Sequence, residues 1–396
     1  MNTGNGNIAG ALEKGGFAVR LCSFSALDSY LGLPSLPFTF LETNAGITEL
    51  ARTVEDLYFP GTDIADGASN TGGRRWFFRC KDEGEPAPYP SYTLLSLVQN
   101  FNDGRFFDDL GIYPHIFSLK KALQKNEGLV LDWWEELHPR AGCFQALMDG
   151  ALILARYEVM DYPPKGFAEA LNRSGIKSPL GPEIHQALLL GLMASPRPDR
   201  GLEFLKTTGF LEKFWPEIAR LDEADHAKEF HPEGNAWNHT LQTFSHRKHN
   251  AAGEYDLRLS LALLLHDIGK PLAPGSEGRR YNGHAEIGAR AAARFLERLE
   301  FAPELVNDVS YLVKNHMLPA ALARLPLLRT GDIMQSPLFP SLMELYRCDE
   351  SSSFKGLEDY YENSAAYQAY LRNTKNPFRS PDGKKLAAQK NRSYPK

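Results

Sequence analysis

Six side chains able to hold a metal ion sit near the ends of helical segments. His266 and Asp267 close the apolar run "LALLLHDIGKP" (261–271). His239 lies in "EGNAWNHTLQTF", His284 in "NGHAEIGARAAARF", His316 in "YLVKNHMLP" and Asp349 in "LMELYRCDESSS". Gly269 and Pro271 explain why the run stops. They do not explain an imidazole and a carboxylate side by side at the end of a segment that reads as buried. Imidazole nitrogens mixed with carboxylate oxygens suit a divalent cation that keeps positions open for water and substrate; manganese, nickel, cobalt, iron, zinc and magnesium all qualify. Neighbouring helical residues point about 100° apart. A His–Asp pair therefore reaches one ion only close to the backbone, as at a helix end, and a carboxylate there can also bridge two ions.

Each residue also has a plainer reading. A lone histidine on a helix is more often a surface or core residue than a ligand. His226, His231, His246 and His249 crowd the same region and read as structural or solvent-facing, although His246 follows His239 by seven residues and shares its helix face. Lys270 reads equally as a charge favoured by a helix C-terminus. Spacing alone leaves a metal site and a set of ordinary contacts equally open.

The elements that must position these residues fall into two halves. Residues 1 to about 120 read as mixed α/β, with strands at "FAVRLC" (17–22), "FTFLE" (38–42), "RWFFRC" (75–80) and "YTLLSLVQNF" (92–101), a helix at "GITELARTV" (46–54), and a Pro-rich loop at 80–91. From about 143 the pattern turns helical, as in "PEIHQALLLGLMA" (182–194) and "GLEFLKTTGFLEKF" (201–214), and stays so to about 371. A chain of 396 residues holds two or three domains, and 43% hydrophobic with 23% charged residues is the balance of a globular protein.

Four scattered cysteines, Cys22, Cys80, Cys143 and Cys348, form no C-x-x-C pair, which argues against a zinc ribbon or a disulfide framework. "MNTGNGNIAG" has neither the basic nor the apolar region of a secretory signal, and no apolar run approaches a membrane span, so a cytoplasmic location and no membrane partner are expected. Residues 372–396 carry eight Lys or Arg against the single Asp382, an excess of +7 that leaves −12 for the rest of a chain whose net charge is −5. Such a tail reads as a solvated end, or as a contact for RNA.

The ordered set His239, His266-Asp267 and Asp349 resembles the H…HD…D signature of HD-superfamily metal-dependent phosphohydrolases. With "GLEFLKTTGFLEKFWPEIARL", "HPEGNAWNHT", "LLLHDIGKP", "GHAEIGA" and "VKNHMLP", residues 182–350 are similar to the C-terminal half of bacterial CCA-adding tRNA nucleotidyltransferases and their poly(A) polymerase relatives. The resemblance implies an α+β nucleotidyltransferase-like domain (small mixed sheet with helices) followed by an all-α HD domain. Its implied boundaries are 1–142 for the head, 143–225 for a helical connection, 226–371 for the HD domain and 372–396 for the basic tail. It implies a divalent metal held first by His239, His266, Asp267 and Asp349, with His284 and His316 completing a second site or steadying a phosphate. Asp267 and Lys270 would be catalytic, Lys270 neutralising phosphate charge.

The head matches in outline only. Ser23 and Phe24 stand where the resemblance implies phosphate-approaching glycines, and Leu27 where it implies an Arg; Asp28, Gly32, Thr43 and Ala45 are kept. The family's two catalytic carboxylates fall on Phe38 and Phe40. Its Arg-Arg-Asp falls on Tyr89-Pro90-Ser91 or on Arg74-Arg75-Trp76, and its base-reading segment on 146–150 without its Arg. Aromatic rings cannot hold the cations of nucleotidyl transfer. The expectation is therefore an HD phosphohydrolase acting on a nucleotide or RNA-end phosphate ester, fused to a silent nucleotidyltransferase-like head with no nucleotide-binding residues. The alternatives are a tRNA nucleotidyltransferase-like RNA-binding or RNA-processing protein, and a non-catalytic regulatory scaffold.

Overall fold

The structure, a computed structural model, describes residues 6–61, 64–80, 91–129, 143–162, 166–167, 181–225, 234–274, 281–353 and 356–386. The expected 80–91 loop, His226, His231 and the last ten residues of the basic tail lie almost wholly outside these. The chain divides into two compact units. One comprises Met1–Ala219, Lys248–Ser260 and Leu296–Phe301; the other comprises Arg220–Arg247, Leu261–Phe295 and Ala302–Lys396.

The first unit is built on a six-stranded sheet. Its strands are β1 (Val19–Leu21), β2 (Phe38–Thr43), β3 (Gly67–Ser69), β4 (Arg75–Cys80), β5 (Val98–Asn100) and β6 (Phe106–Phe107), in the order β3-β4-β2-β1-β5-β6. β2 and β4 run parallel, with Phe40 opposite Phe77 and Glu42 opposite Arg79; the other pairings are antiparallel. The expected strands at 17–22, 38–42 and 75–80 are present. The stretch 92–101 is not one strand: Tyr92 makes an isolated bridge, Thr93–Leu95 forms a single 3₁₀ turn, and Val98–Asn100 pairs as β5. Its backbone bonds stay local there, Leu95 N–H and Ser96 N–H donating to Tyr92 and Thr93 carbonyls.

All six residues of β2 are buried, so both faces of the sheet are covered there. On one face Leu41, Val19, Trp76 and Phe78 pack with Ile8 and Leu12 of α1 (Gly6–Lys14) and Leu50 of α3 (Ile47–Thr53). Between them in the chain lies α2 (Ser23–Leu31). On the other face Phe38, Phe40 and Phe77 form a ring cluster with centroids 5.1–5.8 Å apart. Helices α4 (Tyr113–Lys125), α5 (Cys143–Arg156), α6 (Pro182–Met193), α7 (Pro198–Thr207) and α8 (Phe210–Phe214) continue this unit. Gly191 of α6 approaches Phe38 so closely that a Cβ would stand 3.1 Å from the ring and 2.7 Å from Leu152. Phe38 and Phe40, where the resemblance implies carboxylates, are thus core residues, each contributing about 1.5–3 kcal/mol through burial. The segment 201–214 breaks at Gly209, whose φ of 73° ends α7 and starts α8.

Two head residues named by the resemblance have taken structural roles. Asp28 is buried, with Oδ1 accepting from Arg156 Nε at 2.6 Å and Tyr157 OH at 3.0 Å, and Arg156 also donates to the Pro34 carbonyl. Ser23 keeps a left-handed φ of 53° at the position the resemblance gives to glycine, a conformation that costs a side-chain-bearing residue about 1 kcal/mol.

The second unit is helical. After the short helix α9 (Pro216–Ala219) come α10 (Ala236–Thr243), α11 (Leu257–Leu265), α12 (His284–Arg298), α13 (Pro303–Asn315), α14 (Leu327–Met334), α15 (Phe339–Ser351) and α16 (Glu358–Thr374), some of which begin or end in the first unit. Asn235 caps α10, its side-chain oxygen accepting the Asn238 N–H at 3.0 Å. α11 reads Leu-Arg-Leu-Ser-Leu-Ala-Leu-Leu-Leu, and Leu261 through Leu265 are wholly buried. No helix among the described residues is long and apolar enough to cross a membrane.

Candidate metal centre

Five helix segments of the second unit deliver the site. His239 lies within α10, His266 and Asp267 follow the last residue of α11, and His284 opens α12. His316 follows α13, and Asp349 lies in the last turn of α15. These six side chains converge into two groups, His239–His266–Asp349 and Asp267–His284–His316, with ligand atoms in each group within 4.8 Å of one another. Asp267 faces both: Oδ2 lies 3.4 Å from His266 Nε2, and Oδ1 lies 3.7 Å from His284 Nε2 and 4.0 Å from His316 Nε2. Lys270 Nζ pairs with Asp267 Oδ2 at 2.6 Å.

The backbone fixes which ring nitrogen each histidine offers. A carbonyl oxygen only accepts, so the Nδ1 atoms of His266, His284 and His316, each 2.7–2.8 Å from the carbonyl three residues earlier, must carry hydrogen. His239 Nδ1 meets Ser352 Oγ at 3.2 Å, and that hydroxyl already donates to the Asp349 carbonyl at 2.6 Å, so Nδ1 is again the donor. All four rings therefore turn Nε2 inward. The inward atoms are close: His284 Nε2 stands 3.2 Å from His316 Nε2, and His239 Nε2 stands 2.8 Å from Asp349 Oδ1. Two lone pairs at such distances need a positive charge between them, a proton or a metal ion in its place. His266 Nε2 is buried with no hydrogen-bond partner. The orphaned inward nitrogen of His266, the close inward atoms of the other rings and the hydrogen-bonded outer nitrogens of all four fit a divalent cation.

Burial pushes the His316 imidazole down to about 4, and burial also lowers His284, so both rings are neutral near pH 7 and keep their lone pairs. Burial pushes the Asp267 carboxyl up, but the Lys270 ammonium and the imidazoles of His266 and His239 together outweigh it and hold Asp267 well below the usual carboxylate range. Burial also pushes Asp349 up, but its hydrogen bond with His239 and the nearby charge of His239 and His266 together hold it low.

Two features at the centre carry no metal-ligand signature in sequence. Ser352 is signalled only by the "DESSS" run three residues past Asp349. Gly269 and Gly288 let the turn after Asp267 lie against the start of α12: a Cβ on Gly269 would overlap the His284 carbonyl and stand 2.5 Å from Gly288 N. His246 is not drawn in; it ends a 3₁₀ turn, and its carbonyl accepts from Arg347 at 2.5 Å. His249 is exposed, its ring 5.8 Å from Tyr255.

Residues 237–345 match the HD domain family. The chain is 36% identical over 167 residues to the Multifunctional CCA protein of Halorhodospira halophila, covering 42% of this chain and 38% of that one. It is 34% identical over 224 residues to the CC-adding tRNA nucleotidyltransferase of Thermus thermophilus, covering 53% of this chain and 50% of that one. The chain thus spans half or less of these relatives. The CCA-adding enzyme of Bacillus stearothermophilus, in complex with CTP, aligns with a TM-score of 0.46 at 12% identity over 94% of this chain and 84% of that chain. These names correct one expectation. A phosphohydrolase fused to a silent head is not what these relatives are named for; their names are Multifunctional CCA protein and CC-adding tRNA nucleotidyltransferase, which favours the RNA-processing alternative. The chain thus carries an HD domain and, over about half its length, is related to proteins named Multifunctional CCA protein and CC-adding tRNA nucleotidyltransferase.

Proposed function

We propose that the chain is a tRNA nucleotidyltransferase-like RNA-binding and RNA-processing protein whose second unit holds divalent metal. The observation that carries this is the 34–36% identity to relatives named for tRNA nucleotide addition, found together with the HD match. On this reading His239, His266 and Asp349 hold one cation, His284 and His316 a second, and Asp267 lies between them. Lys270 balances the charge of Asp267 and of an approaching phosphate. A bound divalent cation would supply a positive site for the phosphate oxygens of an RNA end. The basic residues after Arg372 would add a sequence-independent grip on the backbone.

The positions Phe38 and Phe40 bring no carboxylate to β2, and no transfer step is derived through them. The same two rings favour a second reading, a non-catalytic RNA-binding protein.

The test uses the full chain with a tRNA transcript lacking its terminal CCA. Binding is measured at 50 and 200 mM salt, and the RNA 3′ end is mapped after incubation with CTP, ATP and manganese or magnesium. Binding that weakens with salt, with a 3′ end altered only when metal is present, is the expected result. Binding without any change of the RNA end selects the second reading. A chain that leaves tRNA unbound at 50 mM salt overturns both.

A further inference from the structure

We infer that the face of the first unit formed by β6 and α4 is a binding surface for a single-stranded RNA segment; this deepens the RNA-binding reading above and rests on it. Phe107 of β6 and Tyr113 and Phe117 of α4 are 40%, 36% and 51% exposed, an unusual concentration of rings at one sheet edge. Tyr113, Phe117 and Lys121 follow at intervals of four, so they form one stripe about 12 Å long on the helix.

Cations lie over these rings and their neighbour. Lys121 Nζ is 4.4 Å from the Phe117 centroid, Arg20 is 5.8 Å from that of Phe107, and Lys120 is 4.8 Å from that of Tyr30. Tyr30 in turn packs edge-on against Phe106 at 5.3 Å and tilted against Tyr113 at 5.9 Å, which makes the surface continuous from strand to helix. Among the described residues β6 ends the sheet, and no further strand covers this side.

Several nearby carboxylates are occupied, and Glu42 lies 3.6 Å from Arg20. Asp108 accepts the N–H groups of Ile112 and Tyr113, both at 2.8 Å, at the start of α4. Asp103 lies 3.5 Å from Arg105, and Glu127 lies 3.8 Å from Lys125. Exposed ring planes interleaved with cations match a chain of bases and phosphates, in which rings stack on bases and ammonium groups meet phosphate oxygens. An apolar protein surface docked here would have to desolvate the same cations without compensation.

The full chain is titrated with a fluorescent single-stranded 12-nucleotide RNA and, in parallel, with tRNA. The variants are Phe107→Ala/Phe117→Ala, Phe117→Tyr and Lys121→Ala, all at exposed positions. The ring deletions are expected to weaken oligonucleotide binding at least about five-fold, with Phe117→Tyr restoring it. Lys121→Ala should reduce the slope of log affinity against log salt by about 0.7, which a purely structural role would not do. If wild type and ring variants bind both RNAs equally, the inference falls while the RNA-binding reading stands. Self-association lost in the ring variants with RNA binding unchanged would overturn it in favour of a second copy of the chain. If wild type binds neither RNA, both fall together.

Discussion

Each of the four site histidines uses its Nδ1 hydrogen on a partner fixed by the chain, so Nε2 is committed to the centre before any ion arrives. For His239 that partner is the Ser352 hydroxyl, itself anchored on the Asp349 carbonyl. Ser352→Ala frees the ring to rotate or change tautomer and is expected to lower metal affinity about 10- to 100-fold. Calorimetric titration with manganese reads this directly, and an unchanged affinity would remove Ser352 from the site. A different histidine governs acid stability in the first unit. His185 is 6% exposed, ringed by Phe144, Phe210, Phe214 and Trp215, with Nδ1 unpartnered, and burial pushes it down to about 4. The unfolded chain takes up this proton near pH 6.5 and the folded chain only near 4. Stability contributed here is therefore complete above 6.5 and lost as pH falls towards 4, by about 3 kcal/mol. His185→Leu should flatten that part of the denaturation profile; an equally steep variant would assign the acid loss elsewhere.

Among the elements, the close approach of two glycines matters most to the centre. The turn after Asp267 and the first turns of α12 touch through Gly269 and Gly288, 19 positions apart in sequence. Gly269→Ala forces backbone against backbone and must move His284 or Asp267. The expected outcome is a loss of about 1–3 kcal/mol in stability, the cost of overpacking, with metal content falling in proportion. Full metal occupancy in a folded Gly269→Ala protein would mean that the turn adjusts without cost. This contact shows why part of the site was legible in sequence and part was not. His239, His266, Asp267, His284, His316 and Asp349 announce themselves by type and by sitting where apolar periodicity stops. The glycines and Ser352 act through three-dimensional proximity, which periodicity does not encode. The head shows the same limit. "FTFLE" and "RWFFRC" alternate or run apolar enough to read as strands, but "YTLLSLVQNF" is apolar because Tyr92, Leu94, Leu95 and Leu97 are buried core residues, not because it pairs along its length. Nor does the aromatic character of Phe38 and Phe40 in sequence reveal that both rings pack against Phe77, Phe40 stacked and Phe38 edge-on.

At the scale of the whole chain, two units carry different charges and different chemistry, and the tail from Arg372 concentrates +7 in 25 residues. Any RNA held by that tail is held in a salt-dependent way. The arrangement of ligands has a consequence for mechanical integrity. His239 and Asp349 are 110 residues apart in the chain, yet their ligand atoms are 2.8 Å apart. An ion bound in their group closes that whole length into a loop, and one beside Asp267, His284 and His316 closes a second loop inside it. A metal ion held there, as proposed, would act as a removable cross-link on five helix segments. At a free-ion concentration a thousand times the dissociation constant it adds about 4 kcal/mol to the stability of the folded state. Chelation should accordingly lower the Tm of the second unit. It should also speed amide exchange first at the ends of α11, α13 and α15, where the helices would begin to fray once nothing ties them together.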